Sequence, residues 1–181
     1  MGNHVLLVGM MGAGKSTVGR VVAERTHRPY RDTDAEVERR TGQSVAAIFE
    51  GRGEAAFRAM ENAALCSMLA SPVPLVVAVG GGAVIDPESR RRLRDAGTVV
   101  WLDAPWRVLA RRTRGGSARP LLEMDPNGAL RRLDALRRPI YRQVSDVVVQ
   151  AGHRRPEVIA EEIARAVEAR PATSKKGSVP C

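Results

Sequence analysis

A parallel α/β sheet with helices on both faces is the fold class this sequence predicts, on two observations. Short β-branched runs at positions 5–8, 75–79, 98–102 and 146–149 alternate with helical patterns, the order expected when each strand is followed by a crossover helix. Aromatic residues make up only 3% of the chain against a hydrophobic share of 44%, so the core must be built from Val, Leu, Ala and Ile. Such a core suits strands buried on both faces.

Taken in order, the first strand at 5–8 leads into a helix near 15–26, and a weaker extended stretch at 29–31 adds a further strand. Helices are expected near 34–40 and 54–70, then 87–95, 105–112, 128–143 and 156–169, with the remaining strands between them. Right-handed crossovers distribute these helices over both faces. Ligands of such sheets collect at the carboxyl ends of the strands. Gly9, Asp32, Gly80 and Asp103 should all emerge at that edge. Residues 113–128 carry Gly115, Gly116, Pro120, Asp125, Pro126, Asn127 and Gly128, a breaker density that predicts an irregular loop able to close over a ligand. The tail, 170–181, is rich in Pro, Ser, Gly and Lys without apolar periodicity, and disorder is expected there. The 181 residues fit one domain, 1–169, with this tail appended.

Composition excludes several classes. A charged share of 27% with ample hydrophobic residues argues against wholesale disorder. No signal peptide or spanning helix is visible. Cys66 and Cys181 lie far apart, so a disulfide framework is not suggested and a reducing, cytoplasmic setting is expected. The net charge of +9 is compatible with nucleic acid, a membrane surface or small anions. Its arginines are spread along the whole chain, which reads as solvated helix faces rather than a nucleic-acid patch. Lysine occurs only at positions 15, 175 and 176, so Lys15 stands alone in the body of the chain.

The segment Gly9-Met-Met-Gly-Ala-Gly-Lys15-Ser16-Thr17 matches G-x-x-x-x-G-K-[ST] between a predicted strand and a predicted helix. Glycines let successive backbone amides turn toward phosphate oxygens, and the helix N-terminus adds its positive dipole end. In such a loop Gly12, Ala13, Gly14, Lys15, Ser16 and Thr17 surround the phosphates of ATP, Lys15 reaches the β- and γ-phosphates, and Ser16 ligates Mg²⁺. The bland alternative is a glycine-rich turn with a solvated lysine.

Asp32-Thr-Asp34 sets two carboxylates at i and i+2, one for Mg²⁺ or its waters and one for an acceptor hydroxyl. Asp34 also resembles a helix cap before Ala35, Glu36 and Val37. Asp103 fits either an apolar strand ending in a metal-binding aspartate or, before Ala104-Pro105, a helix cap. Gly80-Gly81-Gly82 closes a strand, leaving room for a ligand to approach backbone, or serves as a flexible connector. Arg58, Arg112, Arg119, Arg137 and Arg154 are candidate readers of phosphate and carboxylate. Arg119, beside Pro120 in the expected lid, has local support as a neutraliser of the transferring phosphoryl group.

Together these residues resemble the shikimate kinase family, over essentially the whole chain to about position 169. The ordered motifs are the 9–17 loop, Asp32-Thr-Asp34, Phe57-Arg58-x-x-Glu61, Gly80-Gly81-Gly82-Ala83-Val84, Arg119-Pro120-Leu121-Leu122 and Arg137-Arg138-Pro139-Ile140-Tyr141. The resemblance implies a five-stranded parallel sheet of the nucleoside-monophosphate-kinase type, a mobile substrate-binding segment at about 33–62 and a lid at about 113–126. It implies transfer of the ATP γ-phosphoryl group to the 3-hydroxyl of shikimate by a monomer, without nucleic acid or membrane. Ser16 and Asp32 would organise Mg²⁺. Asp34 would bind the shikimate hydroxyls and orient or deprotonate the nucleophile, and Arg58 and Arg137 would clamp the carboxylate. Gly80, Gly81 and Gly82 would border the substrate, and Arg119 would swing in over ATP. Arg112 and the stretch from Arg154 to Pro156 would border adenine. Arg31 departs from the family pattern, where an apolar residue is usual, so a short or exposed second strand is expected. Related kinases of gluconate or nucleoside monophosphates are disfavoured by the short lid and by the pairing of D-x-D with F-R-x-x-E. A basic RNA-binding module is the rival from another class.

Overall fold

The structure is a computed structural model and describes residues 3–113 and 126–170. Five strands form one all-parallel sheet in the order β2-β3-β1-β4-β5. They are β1 (His4–Val8), β2 (Tyr30–Asp32), β3 (Val76–Ala78), β4 (Gly97–Asp103) and β5 (Val147–Gln150). Between them run α1 (Lys15–Arg25), α2 (Thr33–Thr41), α3 (Val45–Leu69), α4 (Pro87–Ala96), α5 (Trp106–Thr113), α6 (Pro126–Val144) and α7 (Pro156–Glu168). Helix α1 packs on α7, and α4 packs on α3 and α6. The predicted fold class and strand positions hold.

Strand β1 has β3 on one side and β4 on the other, with Leu6 opposite Val77 and Val99. It is therefore shielded on every side, and Val5, Leu6 and Leu7 have no exposed surface. Truncating Leu6 to Ala there removes about 3 kcal/mol or more of stability. His4, also fully buried, works as a neutral clasp. Its Nδ1 accepts from the Leu75 amide at 3.0 Å, so the proton sits on Nε2, which donates to the Leu69 carbonyl at 3.3 Å. Burial pushes its pKa below the usual histidine value.

Three local readings need correction. The third helix spans Val45–Leu69 but is two helical stretches joined at a kink at Gly53 (φ 79°), so the expected start at 54 marks the second stretch and the first, before it, was missed. Gly51 and Gly53 hid this early turn, whose start Ser44 caps through its hydroxyl. Pro126, Asn127 and Gly128, expected in the loop, open α6, where a proline without an amide suits the first turn. Cys66 carries no free thiol, against the expectation of a chain without disulfides, and Cys181 lies outside the described residues. The short second strand foreseen from Arg31 is present, three residues long with Arg31 exposed.

Beside the main core, Val37, Ile48, Phe57 and Ala64 form a second, smaller apolar cluster under α2 and α3. Phe49 packs on Phe57 at 4.8 Å between ring centroids. No helix among the described residues is long and apolar enough to cross a membrane.

Candidate active site

The carboxyl ends of β1, β2 and β3 open into a cleft of about 600 Å³, bordered by the start of α1, by α2 and by α3. Gly12, Gly14, Lys15, Ser16, Thr17 and Arg112 line one part of it, and Asp34, Arg58, Gly80, Gly81, Gly82 and Arg137 another. Asp32 borders it as well.

The loop before α1 turns through Gly12 at φ 79° and Gly14 at φ 97°, backbone states that side chains with a Cβ rarely adopt. Gly14 is the N-cap of α1 and supplies no side-chain cap. The first amides of α1 are thereby left for an anion, with the helix dipole behind them. Lys15 Nζ donates to the carbonyls of Gly9 at 2.8 Å and Met10 at 3.1 Å, holding the ammonium over the loop. Ala13 is 1% exposed, and its side chain faces the core.

Asp32 ends β2 and is the residue that caps α2. Its Oδ1 accepts from the amides of Asp34 at 3.1 Å and Ala35 at 3.5 Å. The cap is thus two residues earlier than the Asp34 alternative, which leaves the Asp34 carboxylate unspent. Asp32 Oδ2 accepts from Ser16 Oγ at 2.8 Å and from Tyr30 Oη at 2.9 Å. A serine hydroxyl against a carboxylate beside a phosphate loop is a set of hard oxygen donors. It suits Mg²⁺, which takes one or two protein oxygens and completes its shell with phosphate and water.

Asp34 opens to the cleft, yet the cleft walls crowd closely around it. This enclosure, followed by the charges of Glu61 and Asp32, pushes its pKa up to about 6 despite Lys15 and Arg58. A carboxylate so placed accepts a proton more readily than an ordinary aspartate.

Glu61 is 2% exposed. Its Oε2 accepts from Arg58 Nη1 at 2.7 Å, and its Oε1 has no hydrogen-bond partner. Arg58 also donates to Glu54 through Nη2 at 3.0 Å and Nε at 3.3 Å. Burial works against the Arg58 charge, but Glu61 and Glu54 outweigh it and hold its proton more tightly than usual. Three of the five guanidinium N–H groups are committed, which leaves two for an anion. Arg137 is 4% exposed, lines the cleft and has an unpartnered Nε. A buried and a partly buried guanidinium group, Arg137 and Arg58, bordering one cleft make a site for a carboxylate or phosphate.

The triple glycine is a matter of space. A Cβ on Gly80 would meet Glu61 Oε1 at 1.8 Å, and one on Gly82 would meet the Arg58 guanidinium at 2.4 Å. The Gly80 amide donates to Thr33 Oγ1 at 2.8 Å, and the Gly81 carbonyl accepts from Tyr141 Oη at 2.6 Å. The connector is pinned rather than loose.

Other predicted residues fall differently. Arg112 donates to the carbonyls of Gly12 at 3.3 Å and Ala151 at 3.1 Å, bridging the loop before α1 to the chain after β5. Arg154 pairs with Glu162 at 2.6 Å, and neither it nor Pro156 lines the cleft. Arg119 lies outside the described residues, with most of the expected lid. Asp103 is neither cap nor metal-facing. It pairs with Arg138 at 2.8 Å and accepts from Gln150 Nε2 at 3.1 Å, while the Arg138 guanidinium lies 5.2 Å over Trp101. Sequence reasoning gave no task to Tyr30, and named Thr33 and Tyr141 only as members of motifs. Their hydroxyls become visible only as partners of Asp32, Gly80 and Gly81.

Comparison with known proteins agrees with this geometry. A family model described as shikimate kinase matches residues 11–168. The shikimate kinase of Dechloromonas aromatica is 46% identical over 151 residues, 83% of this chain and 82% of that protein. That of Aromatoleum aromaticum is 44% identical over 165 residues, 91% of this chain and 94% of that protein. Among solved structures, a shikimate kinase from Acinetobacter baumannii in complex with shikimate superposes with a TM-score of 0.89 at 36% identity, covering 93% of this chain and 94% of that one. A gluconokinase from Sinorhizobium meliloti shares the fold at a TM-score of 0.62 and 23% identity. On the match that spans most of its length, and in keeping with the cleft that joins a phosphate loop to Arg58 and Arg137, this chain belongs to the shikimate kinase family.

Proposed function

We propose that the chain transfers the γ-phosphoryl group of ATP to the 3-hydroxyl of shikimate, giving shikimate 3-phosphate and ADP, as a cytoplasmic monomer. The observation that carries this reading is the single cleft in which the 9–17 loop, Asp34, Arg58 and Arg137 meet. The loop amides and Lys15 bind the phosphates of the donor. Ser16 and Asp32 would hold Mg²⁺, which would supply charge neutralisation to the phosphates of the donor. Arg58 and Arg137 take the shikimate carboxylate and so orient its ring. Asp34 accepts a hydrogen bond from the attacking hydroxyl and receives its proton as the new P–O bond forms. The segment at about 33–62 moves with its own small core, Val37, Ile48, Phe57 and Ala64. Arg119 acts from the lid, and Arg112, which lines the cleft beside the phosphate loop, borders adenine.

Many surface arginines face carboxylates on their own helices, such as Arg39 and Arg40 with Glu36, and Arg92 with Glu88. This supports solvated helix faces over a nucleic-acid surface. The test is a coupled ADP-release assay with Mg²⁺, offering shikimate, gluconate and nucleoside monophosphates in turn. ADP release that depends on shikimate alone is expected. No shikimate-dependent signal would sink the assignment.

A further inference from the structure

We infer that Tyr30 is a positioning residue for the magnesium end of the cleft, its hydroxyl holding the Asp32 carboxylate in place. The inference rests on the proposed metal role of Ser16 and Asp32 and adds a residue to which nothing above gave a task.

Asp32 serves two structures at once. Oδ1 is committed to capping α2, the helix that carries Asp34. Oδ2 accepts the Ser16 hydroxyl proton at 2.8 Å, which turns the Ser16 oxygen lone pairs away from Asp32. The second donor to Oδ2 is Tyr30 at 2.9 Å. Without it, rotation of the carboxylate about its last bond would be opposed on the Oδ2 side by one short, flexible hydroxyl.

Tyr30 is well placed to resist that rotation. Its ring lies so close on α1 that a Cβ at Gly19 would sit 2.7 Å from Cε2. The Arg20 guanidinium covers the ring at 5.3 Å from its centroid. Its backbone is paired with Val76 in the sheet. The phenol is therefore fixed from three directions and aims one O–H at one oxygen. Hydrogen bonds of this kind, made to a metal-binding carboxylate rather than to the metal, commonly set affinity by tenfold or more.

Tyr30→Phe tests this, since it keeps the ring and removes only the donor. Manganese as a probe for the divalent site, titrated into the enzyme–ADP complex and read by electron paramagnetic resonance, should bind about tenfold more weakly in the variant. ADP affinity in the presence of a chelator should stay the same. In an Asp32→Asn background the same change should add less than about twofold, because the residue it acts through is gone. Unchanged manganese affinity in Tyr30→Phe, with binding weakened in Asp32→Asn, would overturn the inference and leave the metal reading intact. A lower melting temperature with unchanged manganese affinity would do the same and mark the bond as structural only. A full tenfold loss on top of Asp32→Asn would show that Tyr30 acts elsewhere, and also overturns it. Wild-type affinity in both Asp32→Asn and Ser16→Ala would overturn the metal reading itself.

Discussion

Replacing Asp34 by asparagine is expected to move activity and stability in opposite directions. The folded-state pKa of Asp34 is about 6 against an ordinary value of 3.8, raised first by enclosure and then by Glu61 and Asp32. A group whose pKa is raised on folding favours the fold while protonated. That contribution is fully present below about pH 3.8 and lost as pH rises through about 6, so near neutrality the carboxylate is a strain on the fold. Roughly two pKa units correspond to about 3 kcal/mol. Because the side chain opens to water in the cleft, solvent screening cuts this to about 1–1.5 kcal/mol. For a chain of this size Asp34→Asn should then melt about 2–6 °C higher near pH 7.5. The gap should shrink near pH 4, where the wild-type group is protonated. Turnover should fall by two or more orders of magnitude while ATP binding survives. The wild-type kcat/KM profile should show an acid limb near pH 6. Calorimetry at the two pH values, paired with the ADP-release assay, checks all of this. A variant that melts at or below wild type near pH 7.5 would refute the electrostatic reasoning, and near-normal turnover would remove Asp34 from the mechanism.

Other substitutions probe the rest of the cleft. Arg58→Ala should raise the KM for shikimate by tenfold or more and the KM for ATP far less; equal effects on both would argue against a carboxylate clamp. Gly82→Ala places a methyl group against the Arg58 guanidinium, so it should reproduce the shikimate defect of Arg58→Ala with nucleotide affinity preserved, and a normal KM would show that the arginine has room to yield. Tyr141→Phe leaves the Gly81 carbonyl without its 2.6 Å partner and should cost about 1–2 kcal/mol. That loss would appear as a lower urea midpoint at constant slope, and an unmoved midpoint would mean that the bond contributes nothing to stability.

The broad architecture was legible because it depends on local periodicity and on composition. The runs at 5–8, 75–79, 98–102 and 146–149 are each short, β-branched and bounded, and all became strands. The 9–17 loop was legible for a different reason, since its chemistry needs particular residues at contiguous positions. The early part of α3 was not: the expected helix at 54–70 matches only the stretch after the kink at Gly53, and the stretch before it is held by long-range packing of Ile48 against Val37, Phe57 and Ala64. Asp103 shows the same limit: its sequence neighbours suggest a cap, but its partners, Arg138 and Gln150, lie on α6 and β5.

What the sequence determined by itself is an α/β protein with a phosphate loop; the resemblance to a family, rather than any spacing, singled out Asp34, Arg58 and Arg137. Tertiary structure alone decided which carboxylate caps α2, which one enclosure and neighbouring charge raise, and why Gly80 and Gly82 leave no room for a side chain between β3 and α4. The reason is that these outcomes depend on distances between residues far apart in the chain. Glu61 reaches the Asp34 and Gly80 region, and Tyr141 reaches Gly81. No pattern of neighbours along the chain encodes an electrostatic field or the space left beside a backbone.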